Sequence, residues 1–214
     1  MDIHTFALAL AYLGSAIGVV MVMPQILRIV ANPHLAGVSP WTWALTSVSC
    51  TLWLTYGLRS GSLPQIPGNV LLIAGAVVIV LLVPAGWSRS RRALALGGAV
   101  LTLVLASTQL SPQDVGFLAF GIGLFGMWPQ VYETVWARRG LGPSAISLTS
   151  IGLKIASQVS WLTFAVLTTD LPVAVAGVMS LTTNGIVASV ERGRRRGAPV
   201  ANLGLAPEPV GARA

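Results

Sequence analysis

The stretch SVSCTLWLTYGLRSGSLPQIPGNV, residues 47–70, recurs without a gap as IASQVSWLTFAVLTTDLPVAVAGV, residues 155–178, at an offset of 108. Trp-Leu-Thr-aromatic stands at 53–56 and at 161–164, and Leu-Pro at 63–64 and at 171–172. Ser39 and Ser147 keep the same offset. Pro24-Gln25 and Pro129-Gln130 stand 105 residues apart, so the loop that follows is three residues longer in the second copy. What repeats is an apolar segment, a short polar turn and the start of another apolar segment. The chain is therefore read as two copies of one unit.

Composition says what kind of unit this is. Of the 214 residues, 54% are hydrophobic and only 9% charged, whereas soluble domains carry about 25% charged residues. The apolar residues come in blocks near the roughly 20 residues needed to cross a bilayer. These blocks are 5–30, 40–59, 65–86, 92–110, 113–136, 146–168 and 171–190. The reading is an all-α, multi-pass membrane protein with seven transmembrane helices, its partner the lipid bilayer. The N-terminal MDIHTFALAL lacks the basic flank of a secretory signal, so its apolar run is expected to stay as the first span.

A net charge of +7 and a pI near 11.1 invite a nucleic-acid partner, but the placement of the charges argues against one. Eleven of the thirteen basic residues, from Arg28 through the 89–92 cluster and Arg138–Arg139 to the tail, fall on one alternate set of loops. The other side has Arg59 alone, beside Asp2, Asp114 and Asp170. Positive residues mark the cytoplasmic face, so the N-terminus is expected outside and the C-terminus in the cytoplasm of a cell membrane. Only an odd number of spans fits that split.

A unit of three spans starts and ends on opposite sides of the bilayer. Two copies in the same orientation therefore need one extra span between them, and 92–110, which has no counterpart in the repeat, supplies it. The expected organisation is 3+1+3: a first triple-helix bundle at 1–86, a linker with the fourth helix at 87–111, and a second bundle at 112–191. An Arg-rich segment at 192–214 has no apolar block and reads as a disordered tail. Parallel repeats of this kind are a transporter architecture, with the site near the midplane between the halves.

Several classes drop out. Cys50 is the single cysteine, and neither His4 nor His34 has a partner at metal-ligand spacing. No cofactor or metal is expected, and the chain has no nucleophile–base set or paired carboxylates of an enzyme.

Pro-Gln late in the first span, Gly37-Val-Ser39 opening the second, Trp53-Leu-Thr-Tyr-Gly57, then Leu63-Pro64 and Asn69 resemble the SWEET/SemiSWEET sugar transporters of the PQ-loop superfamily. The pattern covers both bundles. Pro-Gln alone is weak, since the chain also has it at 64–65 and 112–113. The resemblance implies a seven-helix fold in which two triple-helix bundles enclose a sugar pathway, working as a uniporter by alternating access. It places pocket tryptophans at Trp53 and Trp161 and a pocket asparagine at Asn69. The matching position in the second bundle is Gly177, which has no side chain to offer.

The residues themselves point the same way. An indole stacks on the C–H face of a sugar ring, and both tryptophans lie roughly 20 Å from the cytoplasmic end at 1.5 Å per residue; the alternative is an interfacial anchor. An amide inside a span must face a cavity or a neighbouring helix. Asn184, two turns from Gly177 with Ser180 between them, is expected to move the polar contact of the second half towards the cytoplasm, or else to bond another helix. Lys154, Gln158 and Trp161 share one helix face, at i, i+4 and i+7. Lys154 either serves the cavity or snorkels to the interface. Pro24, Gln25, Pro129 and Gln130 are read as paired hinges of a cytoplasmic gate. The partner is then a small sugar, with another small solute (an amino acid or a vitamin precursor) as the alternative. A non-transporting receptor on the same fold, as the KDEL receptor resembles PQ-loop proteins, is a third reading. The sequence leaves homo-oligomerisation open.

Overall fold

The computed structural model describes residues 2–31, 40–83, 88–137 and 148–197, apart from the side chains of residues 24, 25, 28, 29, 40, 41, 129, 130, 133 and 137. Among them the chain forms helices and no strand. These are α1 (Ile3–Ala31), α2 (Pro40–Ser60), α3 (Gln65–Leu82), α4 (Arg89–Ser107), α5 (Pro112–Tyr132), α6 (Leu148–Thr168) and α7 (Leu171–Gly197), with a π-helical segment, Glu133–Ala137, directly after α5. Five stretches are long and apolar enough to cross a membrane: Ile3–Met23, α3, α4, α6 and α7. In α2 the apolar run is diluted by hydroxyls, four of which the helix itself satisfies. Thr46, Thr51, Thr55 and Ser60 each donate to the carbonyl four residues back, at 2.8–2.9 Å, whereas buried Ser47 Oγ has no partner among the described residues.

One expectation changes here. The segment after residue 191 does not leave the helix, because α7 runs on through its arginines to Gly197. Basic side chains in the last turn suit the negative end of the helix dipole, and Arg194 pairs with buried Glu191 at 3.1 Å while donating to Thr134 O at 2.7 Å. Neither Pro-Gln dipeptide ends its helix, as the spans 5–30 and 113–136 require. α1 continues past Pro24 to Ala31, and α5 passes Pro129 before its backbone widens into the π-helical segment. Proline forfeits one helical hydrogen bond, and π-helix, rare overall, occurs mostly as single turns within α-helices. The side chains of Pro24, Gln25, Pro129 and Gln130 lie outside the described residues, as do Gly37, Ser39, Ser147, Arg138, Arg139 and 198–214.

The helices pack in a closed order. α1 lies against α3, α3 against α2, α2 against α5, α5 against α7, α7 against α6, and α6 against α1. α4 sits outside this ring, on α2 and α3. It buries little of itself, Leu96 and Ser107 being its buried residues, and is held at both ends by arginines. Arg59 donates to the carbonyls of Ser107 and Leu110 at 2.5 and 2.8 Å, just where α4 ends. Arg92, near its start, donates to the carbonyls of Val80 (2.5 Å) and Val83 at the end of α3. The last carbonyls of a helix have no partner within it, so each arginine closes one exposed helix end.

The turns that follow α2 and α6 are copies of one another. Gly61 has φ +73° and Thr169, its equivalent 108 residues on, has φ +56°. Ser62 N donates to Gly57 O at 2.9 Å, and Asp170 N donates to Ala165 O at 2.8 Å. A left-handed residue followed by a bond back to the last turn is the Schellman stop. Glycine takes that conformation freely; a β-branched threonine does so at a cost.

Candidate functional site

Inside the ring lies a cavity of about 440 Å³, to which every helix except α4 contributes. Such a volume falls in the range of about 300–1,000 Å³ typical of small-molecule sites. Trp53, Asn69, Lys154, Gln158 and Trp161 all line it, and so do Ser180 and Asn184. Gly177 does not. It is buried against α6, where a Cβ would sit 3.1 Å from Leu162 Cβ and 3.5 Å from its Cα. A side chain at 177 would enter the α6–α7 interface, and the polar contact of the second half comes from Ser180, Thr183 and Asn184 further along α7.

The two tryptophans are set in the same way. Trp53 meets Tyr56 edge to face with centroids 5.8 Å apart, and Trp161 meets Phe164 edge to face at 5.8 Å. Such T-shaped pairs are favoured by the ring quadrupoles and help to hold each indole in place. Trp161 is also held from α1: a Cβ on Gly14 would lie 3.0 Å from its Cδ1 and 3.1 Å from its Nε1. Only a residue without a side chain lets α1 and the indole come this close.

The asparagines share a device too. Asn69 Nδ2 donates to Gln65 O at 2.7 Å, and Asn184 Nδ2 donates to Ser180 O at 2.8 Å and Ser180 Oγ at 3.2 Å. Each amide is thus pinned by its own helix one turn back. Its side-chain oxygen has no partner among the described residues and can accept from a solute hydroxyl. Lys154, half-buried on α6, is the only charged residue among the cavity's described lining.

Two hydrogen bonds join the halves across the rim of the cavity. Ser49 Oγ on α2 donates to Ala119 O on α5 at 3.0 Å, and Ser157 Oγ on α6 donates to Gly14 O on α1 at 2.8 Å. The serines are equivalents at the offset of 108, and the carbonyls at 105. The sequence reading did not pick out Ser49 and Ser157, although the alignment pairs them; Gln65, Met21 and Met127 in the lining carried no comparable signal. A third link stands alone. Tyr56 donates to Asp170 Oδ1 at 2.6 Å, beside Gly116, where a Cβ would meet Pro172 Cβ at 2.7 Å and Tyr56 Cδ2 at 3.1 Å. Its equivalent on α6 is Phe164, which has no hydroxyl. Asp170 also caps α7, accepting from Val173 N at 3.2 Å. Burial pushes its carboxyl upward, against the pull of the Tyr56 and Val173 hydrogen bonds.

Among the described residues no group of His, Cys, Asp and Glu is placed to hold a metal ion. Neither the protein-family models nor the curated proteins give a match to this chain, and the meaning of the cavity rests on its own chemistry and on the repeat.

Proposed function

We propose that the chain is a facilitative transporter of a small sugar, of the SWEET type, working by alternating access. The observation that carries this reading is that equivalent residues of the two copies meet around one cavity. Trp53 and Trp161 each lean on an aromatic neighbour, and Ser49 and Ser157 each bond the opposite half. A site on the seam between two repeats is one that a rocking motion of one against the other opens to either side.

The topology belongs to the same proposal. Seven spans run as α1–α3, the linker α4, and α5–α7, with the N-terminus outside and the C-terminus in the cytoplasm. The ring order supports it, because α3 lies between α1 and α2 just as α7 lies between α5 and α6. Trp128, Tyr132 and Trp136, half exposed and stacked along the end of α5, fit an aromatic belt at the inner interface. The Pro-Gln dipeptides act as hinges near that face. Transport is uncoupled from protons: relays use Asp, Glu or His inside the span, and the described lining has none of these.

Counterflow of labelled glucose, sucrose and several amino acids in liposomes tests the reading. Wild type is expected to exchange a sugar, and Asn69→Ala to lose at least about tenfold of that flux with folding intact, as about 1.4 kcal/mol of lost binding implies. Exchange of amino acids alone rejects the sugar, and accumulation against a gradient after a pH step rejects uniport. The presence of Lys154 in the cavity favours one second reading, a PQ-loop carrier of a different small solute, which the same panel separates.

A further inference from the structure

The repeat pairs residues of the α2–α3 wall with residues of the α6–α7 wall, and one group of pairs differs in a consistent direction. On the first wall, Cys50 and Leu72 line the cavity, while Gly75 and Ala76 are covered by Ile26 in an apolar cluster with Ile79. At the equivalent positions of the second wall stand Gln158, Ser180, Thr183 and Asn184, and all four line the cavity. Lys154 is the equivalent of Thr46, whose hydroxyl bonds its own helix at Thr42 O, 2.9 Å away. Each of these differences makes the α6–α7 wall more polar, and one makes it cationic. Other pairs do not share this drift: the indoles are alike, and Gln65 and Asn69 of the first wall correspond to Val173 and Gly177.

An ammonium group inside a membrane span is costly unless something neutralises it. Among the described residues Lys154 makes no hydrogen bond or ion pair, and no carboxylate stands in the described lining. A solute that brings a carboxylate removes that cost, and Gln158, Thr183 and Asn184 can bond the hydroxyls beside it. A single lysine balances one negative charge; a phosphomonoester near two would leave the cavity net negative. We propose that the solute is a hydroxylated monocarboxylate of sugar size, a sugar acid, bound with its carboxylate at Lys154 and its ring between Trp53 and Trp161. This deepens the transport reading and rests on it.

Binding is read by quenching of tryptophan fluorescence, and transport by current on solid-supported membranes carrying the reconstituted full chain. The probes are D-glucuronate, D-glucose, D-glucose 6-phosphate and L-lactate. Wild type is expected to bind glucuronate at least about tenfold more tightly than glucose, and to carry it with a current of negative sign. Lys154→Gln is expected to collapse that preference about tenfold, and Lys154→Arg, which keeps the charge, to restore most of it. The comparison among solutes needs only wild type, so a variant that fails to fold does not spoil it. Glucose carried without current, and preferred over glucuronate, overturns the inference and leaves sugar transport standing. A preference for the phosphate overturns the single-charge argument, and a preference for lactate overturns the sugar body. Absence of binding and flux for all four overturns both the inference and the transport reading.

Discussion

The first and second halves of this chain agree in backbone and in a few side-chain devices, and diverge in other side chains. Both end their second helix in a left-handed residue and a bond back to the last turn. Both set a tryptophan against an aromatic ring, pin an asparagine to the carbonyl four residues back, and send a serine hydroxyl across to the other half. The divergences lie among other cavity side chains and at the Tyr56–Asp170 link, whose counterpart Phe164 has no hydroxyl. Contacts between helices constrain volume and shape, since a packed interface feels even one methylene. Cavity side chains without such a contact escape that constraint, and at positions such as Cys50/Gln158 and Leu72/Ser180 the halves differ.

The largest effect should come from trying to make them alike. Gly177→Asn puts into α7 the amide that Asn69 gives α3, but against Leu162 at 3.1 Å. Overpacking of this kind costs about 1–3 kcal/mol, so the thermal midpoint in detergent should fall clearly without any gain in flux. A variant of wild-type stability with higher sugar binding would mean that position 177 faces the cavity after all.

Exchanging the two left-handed residues sharpens the comparison of the turns. Thr169→Gly removes the strain at φ +56° and Gly61→Thr introduces it at φ +73°; left-handed backbone costs an ordinary residue about 1–2 kcal/mol. Thermal unfolding should show the first variant modestly more stable and the second less stable by about 1 kcal/mol, offset in part by the entropy of glycine in the unfolded chain. Shifts of the same sign would show that the two turns are not equivalent.

The smallest effect is that of the serines. Ser49→Ala and Ser157→Ala each remove one bond between halves, worth about 0.6 kcal/mol on average between membrane helices. Each should cost a similar small amount of stability, and the pair should change the rate of exchange more than either alone. Unequal costs would break the symmetry of the seam.

The sequence made some of the site legible and hid the rest for physical reasons. Trp53, Asn69 and Trp161 could be named because bulky aromatic and amide groups are conspicuous in an apolar span. Arg59 looked like a stray charge on the outer side, yet it closes the end of α4, a role that needs α2 and α4 to be adjacent in space. Gly177 read as a missing ligand, because the 108-residue offset aligns positions and not directions. The continuation of α7 to Gly197 was concealed by composition: an Arg-rich run looks like a tail until Glu191 and Thr134 are there to hold Arg194.

By itself the sequence determined the helical class, the membrane-length apolar runs and the duplication, because hydropathy and self-similarity are properties of the linear chain. The tertiary structure decided which helices touch: α3 between α1 and α2, α7 between α5 and α6, and α4 outside. A helix that is apolar on every side carries no stripe to show which face turns inward. Only the packing of close-approach glycines, and bonds such as those from Ser49 to Ala119 and from Ser157 to Gly14, assign the faces. With the faces assigned, Lys154 stands in the cavity between the halves.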